Sequence, residues 1–194
     1  RVDEGALIVN YIGHGGERGW AHERILNMET IQSWTNLRRL PIFMTATCEL
    51  FRYDDPEIYS AGEAILFNPK GGAAALLTTT RTVYSAGNQQ VNRAFFETAL
   101  DSDQGQRCLG DIYRDTKNSE AILAHTNSRN FSLMGDPGLE VAYPKHRVFL
   151  TDIPDTLKSL DLVTIRGYVG TESGDTLTGF DGALVPTVFD KRAT

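Results

Sequence analysis

Short apolar runs that alternate with helix-like segments constrain the fold of this chain most strongly. The run ALIVNYI (residues 6–12) ends in glycines and IFMTATC (residues 42–48) follows Pro41, and both are typical of strands covered on both faces. Between them, Asn27 is a suitable N-cap for a helix whose apolar side chains recur at helical spacing until Pro41. A strand, a helix and a strand within about 45 residues form a βαβ unit, and that connection implies parallel neighbouring strands.

The same alternation continues towards the middle of the chain. A helix is predicted over residues 57–67, a turn over residues 68–72 and a third buried strand, AAALLT, over residues 73–78. Apolar residues at helical spacing between residues 91 and 100 then indicate a further amphipathic helix. We therefore predict an α/β fold with a mostly parallel sheet and flanking helices.

The sequence pattern changes from Leu139 onwards. Short segments with alternating apolar residues are then separated by prolines and glycine-containing turns, which is typical of antiparallel strands in a β-sandwich. These segments are LEVAY (residues 139–143), RVFLTDI (residues 147–153), DLVTIRGYVG (residues 161–170) and GALVPTVFD (residues 182–190). We therefore predict an α/β domain over residues 1–144 and a small all-β sandwich over residues 145–194.

The charge balance and the cysteines argue against several classes of function. The 194 residues carry 19 Lys and Arg against 25 Asp and Glu, and this excess of acid argues against a surface for nucleic acid or anionic lipid. Cys48 and Cys108 are the only cysteines and lack the spacing of a zinc site or a redox pair, and we interpret Cys108 as structural. No run of about 18 apolar residues is present, so the sequence predicts no membrane-spanning helix.

One histidine and one cysteine lie at the ends of the first two predicted strands. His14 lies in YIGHGG just after the first strand, and Cys48 ends the second. Functional groups gather at the carboxyl ends of parallel strands, because the loops that follow these ends meet in one crevice. If the two strands are neighbours, both side chains therefore emerge at the same edge of the sheet.

These two residues have the chemistry of a nucleophile and its base. A thiol with a pKa of about 8.5 is mostly protonated at neutral pH, and a neighbouring imidazole can accept its proton or stabilise the thiolate. A tetrahedral acyl intermediate also needs backbone N–H donors about 3 Å from its oxyanion, and the amides of Gly15 and Cys48 are the predicted donors. Taken singly, such a cysteine is more often an inert core residue and such a histidine a turn residue. Only their joint placement favours catalysis.

A phosphate-binding loop is the alternative interpretation of the glycines around His14. A dinucleotide fingerprint has the pattern G-x-G-x-x-G, which Gly13 and Gly15 begin, but Arg18 occupies the position of the third glycine. No G-K-[ST] motif follows either. The histidines and glutamates of residues 14–23 lack a recognised metal-ligand spacing, so no metal site is predicted.

The polar loop CELFRYDDPE (residues 48–57) is expected to lie over the same crevice. Its carboxylates Glu49, Asp54 and Asp55 are candidate contacts to substrate. The alternative is a solvated loop in which Pro56 starts the next helix.

The motifs around His14 and Cys48 resemble those of the gingipain-type cysteine peptidases of family C25, in the caspase-like clan. In that clan a His followed by Gly ends one strand and the Cys ends the next, as in NYIGHGG with Trp20 and in MTATC. NFSLMGDPGLEV (residues 130–141) resembles the segment that closes gingipain catalytic domains before an immunoglobulin-like module. The resemblance implies a caspase-like sheet whose first strands, with the acidic residue that orients the histidine, precede Arg1.

The resemblance also assigns roles to individual residues. It implies that Cys48 is the nucleophile and His14 the general acid and base, and that the amides of Gly15 and Cys48 form the oxyanion hole. It further implies that the sandwich of residues 145–194 is immunoglobulin-like and that the substrates are proteins. No cofactor is required by this resemblance, which leaves room for a structural calcium ion.

The segment after Cys48 differs from that of gingipains proper. Gingipains have an Asn-Gly pair there, whereas CELFRYDDPEIYSAGE, with GGAAALLTTTRTVYSAGN and FDGALVPTVFDK, is similar to the PorU-type sortases of the type IX secretion system. The similarity implies an enzyme at the outer membrane, on the cell surface, that removes the C-terminal signal domain of secreted cargo. It implies transfer of the cargo to an amine of lipopolysaccharide and contact with other secretion-system subunits. A catalytically inactive gingipain-fold binding or assembly module is the alternative.

Overall fold

A computed structural model of the chain describes residues 2–101, 105–120, 122–123, 125–143, 146–156, 160–182 and 184. It divides the chain into two units, Arg1–Ala142 and Tyr143–Thr194. The predicted boundary between residues 144 and 145 lies outside the described residues.

The first unit alternates strands and helices along the chain. Its elements are a 3₁₀ turn (Val2–Glu4), β1 (Ile8–Ile12), β2 (Gly15–Gly16), β3 (Gly19–Trp20), β4 (Leu26–Asn27), α1 (Met28–Ser33), β5 (Ile42–Ala46), α2 (Ala61–Phe67), β6 (Ala75–Thr79), α3 (Ser85–Ala99), α4 (Leu109–Asn118), α5 (Thr126–Asn130) and β7 (Phe131–Gly135). Among the described residues, no helix is long and apolar enough to cross a membrane.

A four-stranded sheet in the order β1-β5-β6-β7 forms the centre of this unit. The pairs β1–β5 and β5–β6 are parallel, whereas β6–β7 is antiparallel. The predicted α/β fold with a mostly parallel sheet is therefore confirmed. Every residue of β5 and β6 is buried, as the continuous apolar runs predict, whereas β1 is only half-buried at the edge of the described sheet.

The strand β7 was not predicted. The composition of MGDPG (residues 134–138) is typical of a turn, but the chain stays extended through Gly135 and turns only at Pro137 and Gly138. Gly135 lies opposite Ala75 with a φ of 126°, and a Cβ there would lie 2.8 Å from the Ala75 side chain. Close approach to β6 therefore explains this glycine, which local composition alone assigned to a turn.

Capping side chains set where the first two helices begin. Asn27 caps α1 as predicted, because its side chain accepts a hydrogen bond from the Thr30 amide at 2.9 Å. The predicted helix over residues 57–67 begins later, at Ala61, because Ser60 and Glu63 form a capping box there. The helix α1 ends at Ser33, well before Pro41.

The core packs on both faces of the sheet. On one face, Phe43 of β5 clusters with Ile31 of α1 and Ile65 of α2, and all three are fully buried. Side chains alternate along a strand, so Met44 points to the other face, where it is also fully buried. The helix α3 contacts β1 and β5, and its Asn88 side chain donates to the Ala46 carbonyl at 3.1 Å.

A small antiparallel sheet, in the order β2-β3-β4, follows β1 directly and was not predicted. Gly16 pairs with Gly19, and Trp20 pairs with Leu26. Trp20 is buried and stacks on Tyr11 with ring centroids 4.4 Å apart. These strands have two residues each, which is too short for an alternating pattern to reveal them.

The second unit contains β8 (Arg147–Asp152) and β9 (Arg166–Gly170), which pair antiparallel. The strands predicted within residues 147–153 and 161–170 are therefore confirmed, the second only in its last half. The strand predicted at residues 139–143 is wrong, because Glu140 forms only an isolated bridge with Cys108 within the first unit. The strand predicted at residues 182–190 lies outside the described residues except for two positions, so the immunoglobulin-like sandwich stays a prediction.

Candidate active site

The register between β1 and β5 aligns His14 with Cys48. Ile12, the last residue of β1, lies opposite Ala46, the last residue of β5. His14 and Cys48 therefore each follow two residues after an aligned pair. The Gly13 amide donates to the Ala46 carbonyl at 3.3 Å, so the alignment continues beyond the end of β1. Both residues thus leave the sheet at the same edge.

The backbone of His14 is held by two hydrogen bonds. Its carbonyl accepts from the Tyr11 hydroxyl at 2.7 Å and from the Ala21 amide at 2.8 Å. Burial, and to a smaller degree the carboxylate of Glu23, raise the pKa of Tyr11, so the hydroxyl keeps its proton and remains a donor. His14 itself is exposed. The fold therefore anchors the main chain and leaves the imidazole open to solvent.

Cys48 lies in a tight turn directly after β5. Its thiol is half-buried and lies 3.6 Å from the Val83 carbonyl, to which it donates. The following residue, Glu49, has a φ of 50°, and its amide donates to the Arg81 carbonyl at 3.4 Å. The left-handed backbone turns the chain sharply at this point, so the cysteine is presented at a bend after the strand.

The glycine hairpin of His14 packs against the residue that precedes Cys48. A Cβ on Gly15 would collide with the Thr47 hydroxyl and lie 2.8 Å from the Gly19 carbonyl. Thr47 is fully buried, and its hydroxyl has no hydrogen-bond partner within the described part of the chain. The segments that carry His14 and Cys48 are therefore in direct contact, and only glycine fits at position 15.

Two backbone amides at this edge, those of Gly15 and Cys48, have no acceptor within the described part of the chain. The Ala21 amide donates to the His14 carbonyl, so His14 and Ala21 form a hydrogen-bonded pair. Hydrogen-bonded and non-hydrogen-bonded pairs alternate along an antiparallel ladder, so the N–H groups of the next pair, Gly15 and Trp20, point away from each other. The Cys48 amide likewise has no acceptor among the residues that the structure describes. That these two amides together form an oxyanion hole stays a prediction.

The carboxylates of the loop after Cys48 are engaged by arginines. Arg52 lies 3.4 Å from Asp55 and 3.6 Å from Glu49. Asp54 is held by Arg81 through both carboxylate oxygens, one of them at 2.9 Å. The predicted contacts between these three residues and a substrate stay a prediction, and such contacts would have to compete with the ion pairs.

Asp54 is expected to titrate below the ordinary range of an aspartate, because the hydrogen bond from Arg81 lowers its pKa. A carboxyl with a lowered folded-state pKa stabilises the fold above its unfolded pKa and loses that effect as the pH falls through the folded value. The Asp54–Arg81 pair therefore stabilises the fold at neutral pH, and this stabilisation is lost below about pH 4. An NMR titration of the Asp54 carboxyl carbon measures the shift, which Arg81→Met should reduce to the smaller part due to a backbone hydrogen bond and Arg52. A shift of unchanged size in Arg81→Met would contradict this assignment.

Sequence reasoning missed Arg52 and Val83. The Arg52 guanidinium lies 2.9 Å from Glu17, beyond its contacts in its own loop, and Val83 supplies the acceptor for the Cys48 thiol. No local pattern marks either residue, because 35 positions of sequence separate Arg52 from Glu17 and Val83 from Cys48.

This edge of the sheet has a pocket beside His14 but, among the described residues, no cluster of metal-ligating side chains. No group of three or more His, Cys, Asp or Glu that could hold a metal ion occurs in the described ranges. The structural calcium ion that the resemblance allows stays a prediction. A pocket of about 740 Å³ opens beside His14, lined among others by Glu17, Arg18 and Glu29. Cys48 does not line this pocket, which therefore lies on the histidine side of the edge.

The distant Cys108 lies outside this constellation. Its thiol lies 3.3 Å from the Asp111 carboxylate at the start of α4, and its backbone bridges to Glu140. Cys108 is also a free cysteine, but it does not follow a sheet strand that is aligned with a histidine-bearing strand. Its thiol reactivity is therefore a suitable internal reference for that of Cys48.

Residues 1–142 match the model of peptidase family C25. The chain belongs to this family. The structure of the Arg-specific cysteine proteinase gingipain R (RgpB) is similar with a TM-score of 0.60 and 18% identity, over 77% of this chain and 37% of that one. The complex of Porphyromonas gingivalis RgpB pro- and mature domains gives 0.61 and 18%, over 77% and 38%.

A further structure, described as a protease, gives a TM-score of 0.63 and 16% identity over 86% of this chain and 42% of that one. At such identities the likeness establishes the fold, and the predicted caspase-like gingipain architecture is confirmed. The chain spans less than half the length of each of these structures. No match is found among the curated proteins.

Proposed function

We propose that this C25 chain carries the Cys48–His14 pair of a cysteine endopeptidase. The in-register placement of the two residues beyond β1 and β5 is the observation that carries the proposal. The contact of Gly15 with Thr47 supports it, since the hairpin of the histidine and the turn of the cysteine touch. Membership of a peptidase family agrees with this role.

The proposed reaction proceeds through a thioester on Cys48. His14 takes the thiol proton, and the sulfur attacks the peptide carbonyl carbon while the amides of Gly15 and Cys48 donate to the oxyanion. The C–N bond then breaks as His14 returns its proton to the leaving nitrogen. Water or another amine next attacks the thioester, the C–S bond breaks, and the proton passes through His14 back to sulfur.

Two features of the edge suit these steps. The thiol donates to the Val83 carbonyl in the resting chain, so it must turn from that acceptor towards the imidazole before it loses its proton. The pocket beside His14 suits the leaving segment, because the imidazole protonates the leaving nitrogen and Cys48 lies outside that pocket.

We propose further that the full-length protein is a sortase of the type IX secretion system, on the outer face of the outer membrane. Its substrates would be secreted cargo proteins with a C-terminal signal domain, and lipopolysaccharide and other secretion-system subunits would be its partners. The likeness of the segment after Cys48 to PorU-type sequences supports this assignment. Hydrolysis and transfer share one acyl-enzyme, so a single site serves both outcomes.

The test uses full-length protein and a purified cargo that carries its C-terminal signal domain, with and without glycinamide as the acceptor amine. We expect release of the signal domain in both cases. Mass spectrometry should find a free carboxyl terminus without the amine and a glycinamide adduct with it, because both nucleophiles attack one thioester. Cleavage without any adduct would leave a peptidase and contradict the sortase.

The competing interpretation, a catalytically inactive gingipain-fold binding or assembly module, predicts no cleavage of the cargo. It also predicts that iodoacetamide alkylates Cys48 no faster than Cys108, because the Cys48 thiol would rest on the Val83 carbonyl without a partner base. Absence of cleavage together with equal alkylation rates would contradict the proposed peptidase.

A further inference from the structure

The guanidinium of Arg52 bridges the two segments that carry the proposed catalytic pair. Its Nη1 lies 2.9 Å from Glu17 and 3.6 Å from Glu49, and its Nη2 lies 3.4 Å from Asp55. Glu17 is the third residue after His14, and Glu49 directly follows Cys48. One side chain therefore connects the histidine hairpin to the cysteine turn.

Both ends of this bridge are tied to the start of the helix α2. The Glu17 carbonyl accepts from the amide of Ala61, its first residue, at 2.6 Å. The Leu50 carbonyl, two residues after Cys48, accepts from the Gly62 amide at 2.8 Å. The hairpin and the turn thus share one rigid support, and Arg52 spans the gap between them.

The turn after Cys48 depends on such support. Glu49 adopts a φ of 50°, which is unfavourable for a residue with a Cβ and persists only when its surroundings hold it. The Glu49 amide donates to the Arg81 carbonyl, and the Glu49 carboxylate lies 3.6 Å from the Arg52 guanidinium. A change in the Arg52 contacts is therefore transmitted to the backbone that presents Cys48.

We propose that Arg52 is a positioning residue that holds His14 and Cys48 at reacting distance through Glu17 and Glu49. The proposal rests on the proposed Cys48–His14 chemistry. An isolated exposed ion pair would contribute little, but the Arg52 side chain is only 34% exposed and faces three carboxylates. The planar fork of arginine can hold several carboxylates in fixed directions, which a lysine ammonium cannot.

The experiment measures how strongly His14 controls the reactivity of Cys48. In the full-length protein at neutral pH, iodoacetamide alkylation of Cys48 is followed by mass spectrometry, with Cys108 as the internal reference. We expect His14→Ala to slow Cys48 by about tenfold, because the variant lacks the proposed base that takes the thiol proton. In an Arg52→Met background the same replacement should slow Cys48 by less than about twofold, because the pair is already separated.

Control variants separate this coupling from a general loss of stability. Arg93→Met removes an exposed ion pair with Glu97, whose atoms lie 2.7 Å apart, and should leave the tenfold effect of His14→Ala intact. Glu17→Gln weakens the same bridge at its other end and should reproduce the effect of Arg52→Met. It therefore provides the test if Arg52→Met does not fold. Arg52→Lys should restore only part of the coupling.

The outcomes distinguish the two proposals. An equal effect of His14→Ala in the native, Arg52→Met and Glu17→Gln backgrounds would overturn the positioning role and leave the catalytic pair standing. No effect of His14→Ala in the native background would overturn the catalytic pair, and with it the role of Arg52. Cleavage of the cargo gives a second readout, in which Arg52→Met should lower kcat and leave KM nearly unchanged.

Discussion

Replacing Cys48 by alanine in the full-length protein is expected to lower the turnover of the proposed cargo by about six orders of magnitude, as removal of a catalytic nucleophile does elsewhere. The fold should survive, because the thiol is only half-buried and makes one long hydrogen bond, at 3.6 Å to the Val83 carbonyl. Release of the C-terminal signal domain measures the turnover, and thermal unfolding measures the stability.

The matched control is Cys108→Ala. Cys108 is the second free cysteine and is also half-buried, but it lies beside Asp111 at the start of α4. This variant should cleave cargo at the native rate. Native maturation of cargo by Cys48→Ala would contradict the role of Cys48, and equal losses in both variants would point to folding instead of chemistry.

The second large effect is expected from Gly15→Ala. The added Cβ would collide with the Thr47 hydroxyl and approach the Gly19 carbonyl to 2.8 Å, so the hairpin must move away from the cysteine turn. That movement displaces the Gly15 amide from the oxyanion, and loss of one such donor lowers kcat by about 10² to 10³. Cargo cleavage at saturating substrate measures kcat.

Gly16→Ala is the control for this prediction. A Cβ at Gly16 meets no atom within 4 Å, so the hairpin keeps its place and kcat should change by less than about threefold. Both variants add one methyl group to the same two-residue strand, β2. Equal losses in the two variants would argue against a specific contact between Gly15 and the cysteine turn.

The parallel strands of the sheet were predictable because their signal is local. Continuous apolar runs bounded by glycine or proline predict β1, β5 and β6, and the structure confirms all three. The Asn27 cap was predictable for the same reason, since the capping side chain and the amide it binds are three residues apart. Each of these features depends on neighbours within a few residues.

The antiparallel strand β7 and the hairpin of Gly15 and Gly16 could not be predicted. The pairing of β7 with β6 joins residues more than 50 positions apart, from Ala75 to Gly135. The hairpin strands are held by the buried Trp20 and its stacking on Tyr11 rather than by a pattern of their own. The letters alone therefore suggested only a glycine-rich turn.

The sequence by itself determined the alternating α/β fold and the positions of His14 and Cys48 at two successive strand ends. Each strand or helix can be predicted from the spacing of apolar residues within its own short segment. Only the tertiary structure decided that these strands are in register, that Gly15 packs on Thr47 and that Arg52 joins both segments. Those facts depend on contacts between residues about 30 to 35 positions apart. Such contacts form only when the sheet and the helix α2 bring distant segments together, so no local pattern encodes them.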